Sequence, residues 1–298
     1  MSKSKVVLVR SKSLSSGAKL DIGAARSLLS AGIAEVLGCD DPREALADIA
    51  GNTGRLGLKP NCVAGPVIST SASLVYALAE LLQSAGKRDS DIVIWDRSCR
   101  ELQSAGFELN AGRSGVKCFG TDARDVGYGT NFHVNGKVGS LVTRIIEDEC
   151  DHLINIPILK DHSVAGVSGG MKNYYGAVHN PNKYHGNNCD PYVAEVNALP
   201  VIRGKNVLTI MDVTRVQYHG GPGFQPQYVL NPGAIMLSTD PVAIDAHGER
   251  IINEYRVANG MKPLAETGRA PLWLKSAEKL GLGNAELSNI DLMEVVID

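Results

Sequence analysis

The chain has 298 residues, 44% of them hydrophobic and 21% charged, enough to bury a substantial core without disulfide or metal staples. Its formal net charge is -2 with both signs interspersed, so no basic footprint exists for a phosphate backbone or an anionic bilayer; neither nucleic acid nor membrane is expected as a partner. Six scattered cysteines, Cys39, Cys62, Cys99, Cys118, Cys150 and Cys189, never fall at CxxC spacing, which argues against a self-contained iron–sulfur cluster motif and fits free thiols in a reducing compartment.

The start, MSKSKVVLVR, has too short an apolar run for a signal-peptide core or a span, so a cytoplasmic location is expected. Lys5 to Arg10 reads as a strand, followed by a helix from Ile22 to Leu37 capped by Asp21 and ended by Gly38. Arg55 to Lys59 reads as a strand stopped by Pro60. Ser71 to Ala85 reads as a helix whose Leu74, Leu78, Leu81 and Leu82 share a face. Asp91 to Trp95 (DIVIW) is a buried strand. Ser114 to Gly139, rich in Gly and Asp, predicts irregular structure or a short hairpin, then a helix over Leu141 to Glu147 and a strand over Leu153 to Ile156.

A loop is expected from Pro157 to Gly170, with helices near Met171 and over Pro191 to Leu199. Strands at Asn206 to Met211 and Gly233 to Leu237 follow, then helices at Asp240 to Tyr255 and Pro271 to Leu280. A last strand, Leu292 to Ile297, would close the sheet. Continuous apolar runs alternating with helices predict an α/β fold: a mostly parallel sheet covered by helices on both faces, with Rossmann-like βα elements.

The segment Lys160 to Cys189 concentrates titratable groups. Lys160, His162, Lys172, His179 and His185 surround a glycine-rich turn, where Gly166, Gly169 and Gly170 let backbone N–H groups converge on an anion at a helix start. His162, expected to titrate near neutrality, is the candidate general acid/base. A desolvated Lys172 could act as base or covalent attachment point, with Lys160 adding charge. The alternative is that the glycines serve close helix packing. His179, His185 and Cys189 form a candidate soft-metal set, against the alternative of a polar surface loop.

Strand ends supply further candidates, as open α/β sheets place ligands there. Lys59 could clamp an anion and Asn61 orient it; Asn173 and Asp212 join them as substrate-binding candidates. Asp96, beside Arg97, follows the DIVIW strand. Asp240 reads as a helix N-cap, with Asp245 the more interesting carboxylate.

KPN at 59–61, NIPILKDHSVAGVSGGMKNYYG at 155–176, MDVTRVQYHGGPG at 211–223 and STDPVAIDA at 238–246 resemble the bacterial and archaeal family of domain of unknown function 362. The resemblance spans nearly the whole chain and implies a single family domain over residues 1–298, with two α/β lobes flanking the site as the other arrangement. Many members carry a ferredoxin-like cysteine insert and are described as iron–sulfur-centre proteins; this chain has no such insert. A fainter resemblance links DHSVAGVSGGMK to lactate racemase-type proteins, whose lysine carries a nickel-pincer nucleotide; His162 and Lys172 fall on the matching positions. His185 is similar in place to a further histidine of that group, and Lys59-Pro60 to its Arg-Pro region. Where that group has a catalytic histidine, this chain reads Trp95-Asp96-Arg97-Ser98, so Asp96 would have to replace it.

The expectation is an enzyme using acid/base or hydride chemistry on a small carboxylate, racemase-like or oxidoreductase. A metal- or iron–sulfur-linked redox protein and a non-catalytic anion-binding module are the alternatives. The cofactor is left open between none, a metal ion and a nickel-pincer nucleotide. A homo-oligomer with a shared cluster is also compatible.

Overall fold

Residues alternating between two apolar faces make one sheet the organising element. The computed structural model describes residues 3–51 and 53–298. Its strands are β1 (Ser4–Ser11), β2 (Leu56–Pro60), β3 (Ile92–Asp96), β4 (Lys117–Gly120), β5 (His133–Asn135), β6 (Val138–Ser140), β7 (His152–Ile156), β8 (Ile158–His162), β9 (Gly166–Ser168), β10 (Asn206–Gln217), β11 (Val229–Leu230), β12 (Ala234–Ser238) and β13 (Ile290–Ile297). The main sheet runs β13-β1-β12-β10-β7-β2-β3-β4. Every neighbouring pair along it is parallel except the two made by β12, which runs against the rest.

Both faces are covered, as the apolar runs predict. Val7, Val9, Ile92 and Ile94 point into a core shared with helices Ile22–Leu37, Pro42–Ala50 and Ala72–Ser84. Val6, Leu8, Val93 and Trp95 point into the other, shared with Tyr192–Asn197, Pro241–Ala258 and Trp273–Lys279. The period of two in each strand thus feeds both cores. Helix Ile22–Leu37 starts where the Asp21 carboxylate accepts the Ala24 N–H at 2.8 Å and ends at Gly38 with φ 67°. Gly32 in its middle is required by close approach, since a Cβ there would strike Leu237 and Val9 of the sheet. Among the described residues, no single helix is long and apolar enough to cross a membrane.

Three departures from the sequence expectations shape the site. Helix Pro42–Ala50, capped by Asp41, was not foreseen, because its buried face holds only Ala45, Leu46 and Ala50. The expected helix over Leu141 to Glu147 is replaced by a single wide turn, Ile145–Glu149. The third departure is the expected loop after Pro157, which instead carries strands β8 and β9. Pro157 divides one long strand in two: β7 pairs with Asn206 to Thr209 of β10, and β8 with its continuation beyond Asp212. That is why β10 runs on to Gln217 rather than ending at Met211. Ser114 to Gly139 supplies both β4 at the sheet edge and the first strand of the β5–β6 hairpin.

Candidate functional site

Alternation along β8 sorts its polar residues. Asp161 turns to one side, where it accepts from Arg269 at 2.9 Å and from the Gly221 N–H at 3.1 Å. Lys160 and His162 turn to the other and line a cavity of about 370 Å³ at the C-terminal ends of β2 and β3. Asn61, Asp96, Arg97, Ser168, Lys172, Asn173, Tyr175 and His185 also border it. This is where an open α/β sheet offers a ligand site.

The cavity floor is an amide network. Asn173 donates to the Lys59 carbonyl and to Asn155 Oδ1 at 3.1 and 2.8 Å, and its own oxygen accepts from Lys59 Nζ and Asn61 Nδ2 at 3.3 and 3.1 Å. Asn61 Oδ1 then accepts from Lys160 Nζ at 2.8 Å. Lys59 is fully buried and pairs with Asp96 at 2.7 Å. Asp96 in turn accepts from the N–H groups of Arg97 and Cys62 at 2.8 and 2.9 Å. The expected anion clamp is therefore paired with a carboxylate of the chain itself, and both Asp96 oxygens already accept hydrogen bonds.

Two other ammonium groups lack such a partner. Lys160 is 1% exposed and its Nζ meets only neutral oxygens, Asn61 Oδ1 and the Ile68 carbonyl at 3.2 Å. Lys172 is 7% exposed; its Nζ lies 3.1 Å from His185 Nε2 and 3.7 Å from the Tyr175 ring centre. Burial, which penalises the charged form, lowers each of the two lysines to about 8.

His162 stacks on His185 with ring centres 5.6 Å apart, and its Nδ1 accepts the N–H groups of Val164 and Ala165 at 3.2 and 3.1 Å. Burial first, then the charge of Lys172, push its pKa down to about 3. The sequence expectation of titration near neutrality is thus corrected. At neutral pH His162 is an uncharged imidazole with Nδ1 committed as acceptor, which leaves the Nε2 hydrogen as a donor. His185 is also lowered, mainly by burial and then by Lys172.

The glycine-rich turn does hold an anion, but it belongs to the chain. Asp245, fully buried in helix Pro241–Ala258, accepts the N–H groups of Gly170 and Met171 at 2.6 and 2.9 Å. Burial raises its pKa to about 7 against the opposing pull of those two N–H groups. A Cβ at Gly169 would strike the Asp245 carboxylate, so the glycines serve this close approach. Gly169 and Gly170 are accordingly occupied from within rather than offered to a substrate. Asp212 is likewise engaged away from the cavity, accepting from the Ser71 N–H and the Thr214 hydroxyl at 2.9 and 2.6 Å.

The three expected metal ligands are not gathered. His179 packs edge-on to Tyr128, His185 faces Lys172, and Cys189 is buried. Among the described residues, no group of three or more His, Cys, Asp or Glu side chains is placed to hold a metal ion. Ser168 and Tyr175 border the cavity without having been singled out, and Arg97, named only as the neighbour of Asp96, borders it too; only a Gly- and Tyr-rich run after Lys172 hinted at Tyr175.

The model of the domain of unknown function 362 matches residues 57–249. The chain belongs to that family. The match takes in Lys59, Asp96, Lys160, His162, Lys172, His185 and Asp245, so the whole cavity floor of this DUF362 chain lies within the family region. No curated protein matches the chain. Among solved structures, a protein from Thermotoga maritima is similar at 10% identity and a TM-score of 0.43, over 74% of this chain and 58% of its own length. This chain therefore spans little more than half of that protein.

Proposed function

We propose that this DUF362 protein binds a small carboxylate in the cavity and exchanges a proton with it. The observation that supports this reading is the pair of buried ammonium groups, Lys160 and Lys172, without a carboxylate partner. A buried charge is costly until it is compensated, and an anionic ligand supplies the compensation. Lys160, held by two oxygens, is the fixed cation for the ligand carboxylate. Lys172, with a pKa near working pH, gives or takes the proton. Neutral His162 donates from Nε2 to a developing oxyanion, a role that its lowered pKa preserves.

Because both Asp96 oxygens are engaged, a second base facing Lys172 is missing from the position that the racemase-type resemblance points to. One-sided proton exchange is the better reading than two-base racemisation. The same resemblance would make Lys172 the anchor of a nickel-pincer nucleotide; His185 lies beside Lys172, but among the described residues no three His, Cys, Asp or Glu side chains are placed to hold a metal ion. No step is assigned to such a group.

The test is thermal unfolding with lactate, malonate, pyruvate or phosphate added. At least one carboxylate is expected to raise the melting temperature of the wild type and to lose that effect in Lys160→Met. No shift with any carboxylate, or an equal shift in the variant, contradicts the reading.

A further inference from the structure

We propose that Lys172 is a nucleophile that condenses with the carbonyl of a 2-oxo acid, forming an imine inside the cavity. This rests on the carboxylate-binding reading and names its substrate class. The geometry separates the three buried lysines at the cavity by their partners. Lys59 is ion-paired with Asp96. Lys160 donates to two oxygens, which favour its charged form. Lys172 has one nitrogen acceptor, His185 Nε2 at 3.1 Å, and the face of Tyr175. A ring face holds an ammonium by only ~0.5–2 kcal/mol, less than a buried carboxylate would. By its contacts Lys172 is therefore the lysine most readily made neutral.

A 2-oxo acid matches the remaining groups. Its carboxylate pairs with Lys160, and its carbonyl oxygen accepts from His162 Nε2. The carbonyl carbon then faces Lys172 Nζ. The lone pair of the neutral amine attacks that carbon while the carbon–oxygen π pair moves onto oxygen. His185 Nε2, beside Nζ, accepts the proton released from nitrogen and returns it to the carbinolamine oxygen. With a further proton from solvent that oxygen leaves as water, and the carbon–nitrogen double bond forms as a cationic imine. No oxidant or reductant is consumed. The imine accepts electron density from the adjacent carbon, so a proton there becomes exchangeable; with the Lys172 nitrogen bonded to substrate, His185 Nε2 takes over the role of proton acceptor in this case.

Full-length protein is incubated with pyruvate and sodium borohydride near pH 8, and intact mass and peptide mapping are recorded. One carboxyethyl group on the peptide containing Lys172 is expected, falling to the borohydride-only level in Lys172→Arg. Lactate, which has no carbonyl, should raise the melting temperature without any adduct. Mapping the wild-type adduct locates the nucleophile even if the variant misfolds. A pyruvate-induced melting shift with no adduct at Lys172 overturns the imine and leaves carboxylate binding standing. An adduct confined to other lysines overturns it equally, and a failure of lactate, malonate and pyruvate alike to shift melting overturns both readings.

Discussion

Lys160→Met is expected to weaken carboxylate binding by roughly 30-fold to several thousand-fold, the equivalent of the ~2–5 kcal/mol lost when one partner of a buried charge pair is truncated. The same variant should leave stability at neutral pH nearly unchanged, because two effects offset. Removing an unpaired buried ammonium relieves roughly 3 kcal/mol, the free-energy equivalent of a lysine pKa lowered to about 8. Against this, Asn61 Oδ1 and the Ile68 carbonyl lose their donor, at ~1–3 kcal/mol each.

The sign of the pH dependence separates the two. The folded-state pKa lies below the unfolded value, so below about pH 8 both states carry the proton and the penalty is complete. Between about 8 and 10.5 the unfolded chain binds more protons than the folded one, and wild-type stability gains from this group as pH rises. Urea unfolding should therefore show the wild type gaining roughly 3 kcal/mol on Lys160→Met across that window. A constant gap between the two proteins would mean that Lys160 is not a buried, unpaired cation.

Asp245→Ala is the variant expected to damage the fold most. Its carboxylate is the acceptor for Gly170 and Met171, whose N–H groups face the protein interior, and no water-exposed route replaces it. Two buried donors left without an acceptor cost ~1–3 kcal/mol each. Relief of the buried charge offsets this at neutral pH, so the loss of about 3–5 kcal/mol is predicted by urea unfolding near pH 4, where Asp245 is uncharged in the folded chain and partly so in the unfolded one. That is a large share of the ~5–15 kcal/mol by which a domain is stable. Asp245→Asn keeps one acceptor oxygen and should lose about half as much. Carboxylate binding should fall in both variants, since the turn that Asp245 holds carries Lys172 and Asn173. Wild-type stability in Asp245→Ala near pH 4 would contradict this positioning role.

What could be read from the sequence was what local rules encode. Helix Ile22–Leu37 is legible because Asp21 and Gly38 mark its ends and its interior is apolar. Strands β3 and β7 are legible as short buried runs between polar segments. Strand β8 is not, because Lys160, Asp161 and His162 read as loop chemistry, and each is buried through a partner distant in sequence: Asn61, Arg269 and the cavity. Helix Pro42–Ala50 carried a start signal in Asp41-Pro42, but its few small apolar residues gave no periodicity to confirm it.

The site divides in the same way. A concentration of lysine and histidine around a glycine turn marks Lys160 to His185 as a candidate without any structure, and Lys160, His162, Lys172 and His185 border one cavity. Their roles depend on contacts that spacing does not encode. Lys59 lies 37 residues from Asp96, which neutralises it, and Asp245 lies 75 residues from the Gly170 N–H it accepts. The neutral state of His162 follows from burial and from the two backbone N–H groups aimed at Nδ1, neither of which its place in the sequence discloses.

The central claim is that two unpaired buried ammonium groups await a carboxylate, and proton linkage measures it directly. Anion binding raises the pKa of both lysines, so near pH 8, where each is half-protonated, the complex must take up protons. Titration calorimetry of wild type with the tightest-binding of lactate, malonate and pyruvate, in buffers of different ionisation enthalpy, reads that uptake. The account predicts net proton uptake near pH 8 that vanishes near pH 6 and is reduced in Lys160→Met. Binding without uptake at pH 8, or uptake unchanged by the substitution, would contradict it.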